Sequence, residues 1–106
     1  MNIKYRVNIL YRTRALGPAI DTKDVTLFDE INDIDDFEKR LIAHSIKKCE
    51  QLKASYASVY LDEVDLDDSM HVVPLAVYSI SNSGKDEPKM MRFKTSNFPW
   101  EISHRK

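Results

Sequence analysis

The 106-residue sequence contains one cysteine, two glycines and no long apolar run. Each shortage excludes something. A lone cysteine, Cys49, forms no internal disulfide, so the fold must stand on its own core, and this usage fits a reducing, cytoplasmic compartment. Gly17 and Gly84 lie far apart, so no glycine-rich loop can cradle a phosphate. No stretch approaches the roughly 20 apolar residues that a membrane span needs. The amino-terminal MNIKYRVNILYRTR interrupts its apolar residues with charge, unlike a signal peptide. No membrane partner is expected.

Signatures of metal and catalysis are equally sparse. His44, His71 and His104 share no ligand-like spacing. A calcium loop begun at Asp65 would place Asp67 and Ser69 at its third and fifth positions. It would also place Met70 where glycine is needed and Ala76 where glutamate is needed, so the pattern fails. Ser69 and His71 flank one another beside acidic residues, but a triad is defined by geometry, not by adjacency. Cys49 falls on the apolar side of a helix, the setting of a packed thiol rather than a nucleophile. No catalytic residue, metal or cofactor is expected, and the sequence leans away from an enzyme.

What is present is a core and a segregated surface. Hydrophobic residues at 42% suffice for one core, and the length suits one domain over residues 1–106. Ile3, Tyr5, Val7, Ile9 and Tyr11 alternate with Lys4, Arg6, Asn8, Leu10 and Arg12, the pattern of a half-buried strand. Gly17-Pro18 breaks it. Asp24 to Phe28 is a shorter strand that can pair back on the first as a wide hairpin. The helical period runs from Ile34 to about Ala54, with Phe37, Leu41, Ile42, Ile46, Cys49 and Leu52 on one side and Arg40, His44, Lys47 and Gln51 on the other. Asp35 with Glu38 reads as a capping box, and Asp33 would cap almost as well.

Tyr56–Val64, His71–Ser81 and Met90–Thr95 read as three further strands. Pro74 requires an edge or a bulge, because it lacks a ladder donor. The expected fold is α+β: an antiparallel sheet of four to five strands in β-β-α-β-β-β order, with one long amphipathic helix packed on one face.

The net charge of −1 conceals blocks of +3, −6, +4, −5 and +3 over residues 1–28, 29–38, 39–61, 62–68 and 69–106. Read plainly, the acidic blocks are a helix cap and a solvated turn. Read functionally, they steer a basic partner or imitate nucleic-acid phosphates at a partner's groove. The reading favoured here is a small non-catalytic protein-binding module of the inhibitor, immunity or anti-restriction type. It engages a basic site through Asp62, Glu63, Asp65, Asp67 and Asp68, with Phe98 and Trp100 as apolar contacts.

Two alternatives stand beside it. The first is an RNA- or DNA-binding protein, extending to a metal-independent nuclease, with a basic sheet face of Arg6, Arg12, Arg92 and Tyr60. The absence of an RNA-recognition signature and the near-neutral total weigh against it. The second is a structural subunit of a homo-oligomer, joined near Pro74 or the Phe98–Trp100 tail.

Overall fold

A computed structural model of the chain describes residues 1–82 and 87–98. Five strands and one helix follow in order: β1 (Ile3–Arg12), β2 (Val25–Phe28), α1 (Ile34–Leu52), β3 (Tyr56–Asp65), β4 (Asp68–Ser81) and β5 (Lys89–Lys94). The strands form one antiparallel sheet in the order β2-β1-β3-β4-β5, with α1 packed against one face. This is the expected α+β arrangement. The thinnest extent of the molecule is 20 Å, the depth of one helix laid on one sheet. No helix among the described residues is long and apolar enough to cross a membrane.

The period-2 patterns decide which side chains meet the helix. Val7, Ile9 and Tyr11 from β1 join Ala57, Val59 and Leu61 from β3 and Ala76, Tyr78 and Ile80 from β4 in one buried cluster. Against it α1 presents Ile34, Leu41 and Cys49, flanked by the half-buried Phe37, Ile42, Ile46 and Leu52. Near Pro74 both anticipated devices occur together. The β3–β4 register shifts between Leu61 and Asp62, so Leu75 is skipped, and β5 pairs with β4 only from Ala76 onward. The bulge lets both Leu75 and Ala76 be buried.

The helix starts differently from the capping-box expectation. Asp33 is the cap, accepting a hydrogen bond from the Asp36 N–H at 3.1 Å. Glu38 is therefore not a capping partner but lies on the buried stripe, 7% exposed. The Tyr78 hydroxyl donates to its Oε2 at 2.7 Å, and Arg92 Nη1 donates to both carboxylate oxygens at 2.6 and 2.7 Å. The helix ends at Lys53, whose left-handed backbone (φ 57°) turns its N–H onto the carbonyls of Cys49 and Glu50.

Ser45 lies at the centre of the helix–sheet contact, fully buried, and its Oγ has no hydrogen-bond partner. A small residue there allows α1 close to the sheet, but the hydroxyl is desolvated without return. Ser45→Ala should therefore leave denaturant stability unchanged or raise it by up to about 1 kcal/mol. Ser45→Leu should lower it by about 1–3 kcal/mol through overpacking. A marked loss with alanine in chemical unfolding would show that the hydroxyl is bonded.

Candidate functional site: an acidic end and its cavity

The sheet register gathers the two acidic blocks at one end of the molecule. Strand β2 ends with Phe28 opposite Tyr5, and β3 ends with Asp65 opposite Ile3. The loop that leads from β2 into the helix and the tight β3–β4 turn at Leu66–Asp67 therefore both lie where β1 begins. Two contacts tie them to that strand's start. Lys4 forms an ion pair with Asp29, and the Asn2 N–H donates to Asp65 Oδ1 at 2.9 Å. The opposite end collects cations: Arg12 and Lys89 occupy one cross-strand row with Tyr56 and Ser81 between them.

The turn is built by its own carboxylates. Asp65 Oδ1 also accepts from the Asp67 N–H at 2.9 Å, and Asp68 Oδ1 accepts from the Met70 N–H at 3.0 Å. The Asn2 N–H, then that of Asp67, holds the Asp65 carboxyl below the usual carboxylate range, so it stays ionised. Asp67 lies 3.4 Å from the amino terminus, and Asp68 is exposed.

Beside the helix start a cavity of about 440 Å³ opens between α1 and the β1–β2 side of the sheet. Its floor is apolar, with Val7, Ile9, Phe28, Ile31, Phe37 and Leu41. Phe28 and Phe37 meet edge to face at 5.3 Å between ring centroids. Its rim is mostly acidic: Asp24, Glu30, Asp33 and Asp36, with Asn32, Arg40 and His44. Arg40 is held by Asp36 at 3.0 Å, one turn away on the same helix.

Asp24 anchors the inner wall. Its carbonyl accepts from the Ile9 N–H at 2.9 Å, which places it just before β2 and against β1. Its Oδ2 accepts from the Tyr11 hydroxyl at 2.5 Å and meets His44 Nε2 at 2.8 Å. One carboxylate thus links strand, loop and helix. An apolar hollow edged by carboxylates suits an apolar group that carries positive charge, such as a basic side chain or its apolar neighbour on another protein.

The residues singled out from the sequence separate into distinct roles. Asp62 is mostly covered and paired with Arg6 Nη2 at 3.0 Å. Glu63 pairs with His71 Nε2 at 3.0 Å. With Asp65 shaping the turn, Asp67 beside the amino terminus and Asp68 bonded to the Met70 N–H are the two of that acidic set that remain exposed. Phe98 is 6% exposed and belongs to the core, with Arg92 and Lys94 cations 5.9 and 5.7 Å from its ring centroid, so it is not an open apolar contact. Its spacing just past β5 lets it fold back over the helix side of the sheet. Trp100, like His104, lies outside the described residues.

The proposed basic face is also divided. Arg6, Arg12 and Tyr60 share the open side of the sheet, but Arg92 sits opposite Tyr78 on the helix side and is taken by Glu38. Arg12 donates to the Gly17 carbonyl at 3.1 Å and to Ser58 Oγ at 3.2 Å. Of the residues that sequence reasoning missed, Asp24, Glu30 and Asp36 at the cavity had a signal only in their charge. Glu38 and Ser45 had one in their helical phase, since both recur with Ile34, Leu41 and Cys49.

Two buried tyrosines make the arrangement titratable. Burial, then the bond to Asp24, pushes Tyr11 above the ordinary tyrosine range, and burial, then Glu38, does the same for Tyr78. The fold favours their protonated forms. Their contribution is complete below the unfolded value near 10.0 and is lost as pH rises above it. Difference titrations against Tyr11→Phe and Tyr78→Phe should show both phenolates appearing only together with unfolding in circular dichroism. Ionisation near 10.0 with the fold intact would contradict this environment.

Compared with known protein families, curated proteins and solved structures, the chain shows no match.

Proposed function

We propose that the protein is a small binding module, of the inhibitor, immunity or anti-restriction kind, that places its acidic end on a basic site of a partner protein. The observation that supports this reading is the convergence of both acidic blocks, separated by a helix and a strand in sequence, at the end of the sheet where β1 begins. Charge gathered at one end acts over distance. It raises the encounter rate with an oppositely charged surface and rejects acidic ones.

The carboxylates divide into those that build the surface and those that face outward. Asp33, Asp62 and Asp65 are committed to a helix cap, an ion pair and a turn. Glu30, Asp35 and Asp68 are exposed and form no ion pair among the described residues. Asp36 is paired only at the surface, where such pairs are worth about 0–1 kcal/mol and exchange readily for a partner's arginine. The adjacent cavity adds an apolar socket to this charge, so one basic segment can set its charges on the rim and an apolar side chain on the floor.

The nucleic-acid alternative draws less support from the geometry. Arg92 is turned to the other side of the sheet from Arg6, Arg12 and Tyr60, and Arg6 is neutralised by Asp62.

The test is capture of partners from source-cell lysate by the tagged chain, with and without nuclease, followed by affinity measurement on the purified partner. The triple variant Glu30→Lys/Asp35→Lys/Asp68→Lys leaves the Asp33 cap, the Arg6–Asp62 pair and both Asp65 bonds of the turn in place, and removes only the Asp68–Met70 contact. It should weaken a nuclease-resistant protein partner by about tenfold or more at low salt, mainly through the association rate. Unchanged affinity would refute the acidic-end assignment. Capture abolished by nuclease would move the function to nucleic acid.

A further inference from the structure

The helix covers one face of the sheet, and none of the described residues in a helix covers the other. Across that open face runs a row with one residue from every strand: Val25, Asn8, Tyr60, Val77 and Phe93. The next row holds Leu10, Ser58, Ser79 and Met91, and the row on the other side holds Leu27, Arg6, Asp62 and Pro74. Large apolar side chains stand in water here, with Val25 43%, Leu27 47%, Phe93 54% and Met91 61% exposed. They stand on the two edge strands, with Asn8, Tyr60 and Val77 half-buried between them, and such apolar exposure on one face marks an interaction surface.

We propose that this face is the interface between two copies of the chain, stacked sheet on sheet with their strands antiparallel, so that the acidic end of each lies over the basic end of the other. Three observations point to a second copy. In a two-fold interface the same patch meets itself, so a patch with unbalanced central charge would repel its copy. Here the central charges cancel within one chain, since Arg6 and Asp62 pair at 3.0 Å.

The second observation concerns the ends. A two-fold axis along the strands would set turn against turn, Asp67 and Asp68 against their copies, and Arg12 and Lys89 against theirs. An axis across the strands sets the acidic turn over the Arg12–Lys89 row instead, and Coulomb attraction selects that arrangement.

The third is area. Strands about 4.8 Å apart and rising about 3.3 Å per residue give a five-stranded face of roughly 600 Å² per copy, or roughly 1,200 Å² for the pair. That reaches the range of specific interfaces, above about 1,000 Å². Aligned sheets pack about 10 Å apart, a gap that Tyr60, Val77, Leu27, Met91 and Phe93 can fill. The cavity and the loop into the helix lie on the other side of the sheet and stay open in the dimer, whereas the acidic turn is shared with the partner reading; Phe93 and Leu27 belong to the dimer face alone and separate the two.

Sedimentation velocity over a concentration series tests the proposal. The wild-type chain should sediment at twice its 12.3 kDa mass at high concentration. Phe93→Glu and Leu27→Glu, both at exposed edge-strand positions, should raise the dimer dissociation constant about tenfold or more while circular dichroism is unchanged. Lys89→Glu should also weaken the dimer several-fold, and added salt should weaken the wild-type dimer. A wild-type monomer at every concentration would overturn the proposal. So would a dimer indifferent to both glutamates, which would place the contact elsewhere, and a dimer indifferent to Lys89→Glu, which would remove the antiparallel stacking.

Discussion

Among the described residues, the Glu38 carboxylate is the charged group that joins the helix to β4 and β5. It reaches from α1 to Tyr78 on β4 and Arg92 on β5, strands that no local connection brings to the helix. An ion here is costly to desolvate, so its partners must be complete. They are: both oxygens receive a donor from Arg92 Nη1, whose own charge is reinforced by Glu38, and Oε2 receives the Tyr78 hydroxyl as well. Apolar packing is non-directional and would accept several crossing positions of the helix. The clamp accepts one. With the small Ser45 beneath the helix and Asp33 fixing its start, α1 lies across β1, β3 and β4, and everything else on the surface follows.

Two consequences matter for function. Among the described residues, one helix held on one side leaves the opposite side of a five-stranded sheet without a covering helix. The helix start also comes to lie at the end of the sheet where β3 turns into β4, so acidic residues used to cap one element add their field to those that build the next turn. Local chemistry accounts for each acidic block taken alone. Asp33 satisfies a helix N–H, and Asp65 satisfies two backbone donors. Their convergence has no local cause, and it is what makes the end of the molecule a charged surface rather than two scattered features.

The sequence displayed the elements well and the site poorly, for physical reasons. Strand β1 was legible because a sheet covered on one side forces strict alternation, and its odd-numbered residues carry the core side. The helix was legible from its period, to within two residues at its end. The hairpin of β1 with β2 was legible, but the pairing of β1 with β3 was not, because an alternating strand specifies its faces but not all its neighbours. Glu38 resembled a capping-box acid because sequence distance from Asp35 was visible and its partner Arg92, far along the chain, was not.

Tyr78 and Arg92 could not be assigned to a side before the bulge beside Pro74 was located, since a one-residue shift reverses every side chain. The sequence suggests a longer loop between β3 and β4, because five acids obscure a strand whose ladder in fact continues to Asp65. The cavity was beyond sequence reasoning altogether. It exists only where Phe28 of β2 and Phe37 and Leu41 of α1 fail to fill the space between helix and sheet edge.

The clamp is open to direct measurement through a double-mutant cycle on unfolding free energy, using Glu38→Gln and Tyr78→Phe singly and together. Residues in one hydrogen-bonded network couple by about 0.5–3 kcal/mol, whereas independent sites add to within about 0.5 kcal/mol. The account predicts coupling of at least about 1 kcal/mol, with the double variant less destabilised than the two single variants summed. Additive losses would mean that Glu38 and Tyr78 do not meet, which would contradict the clamp.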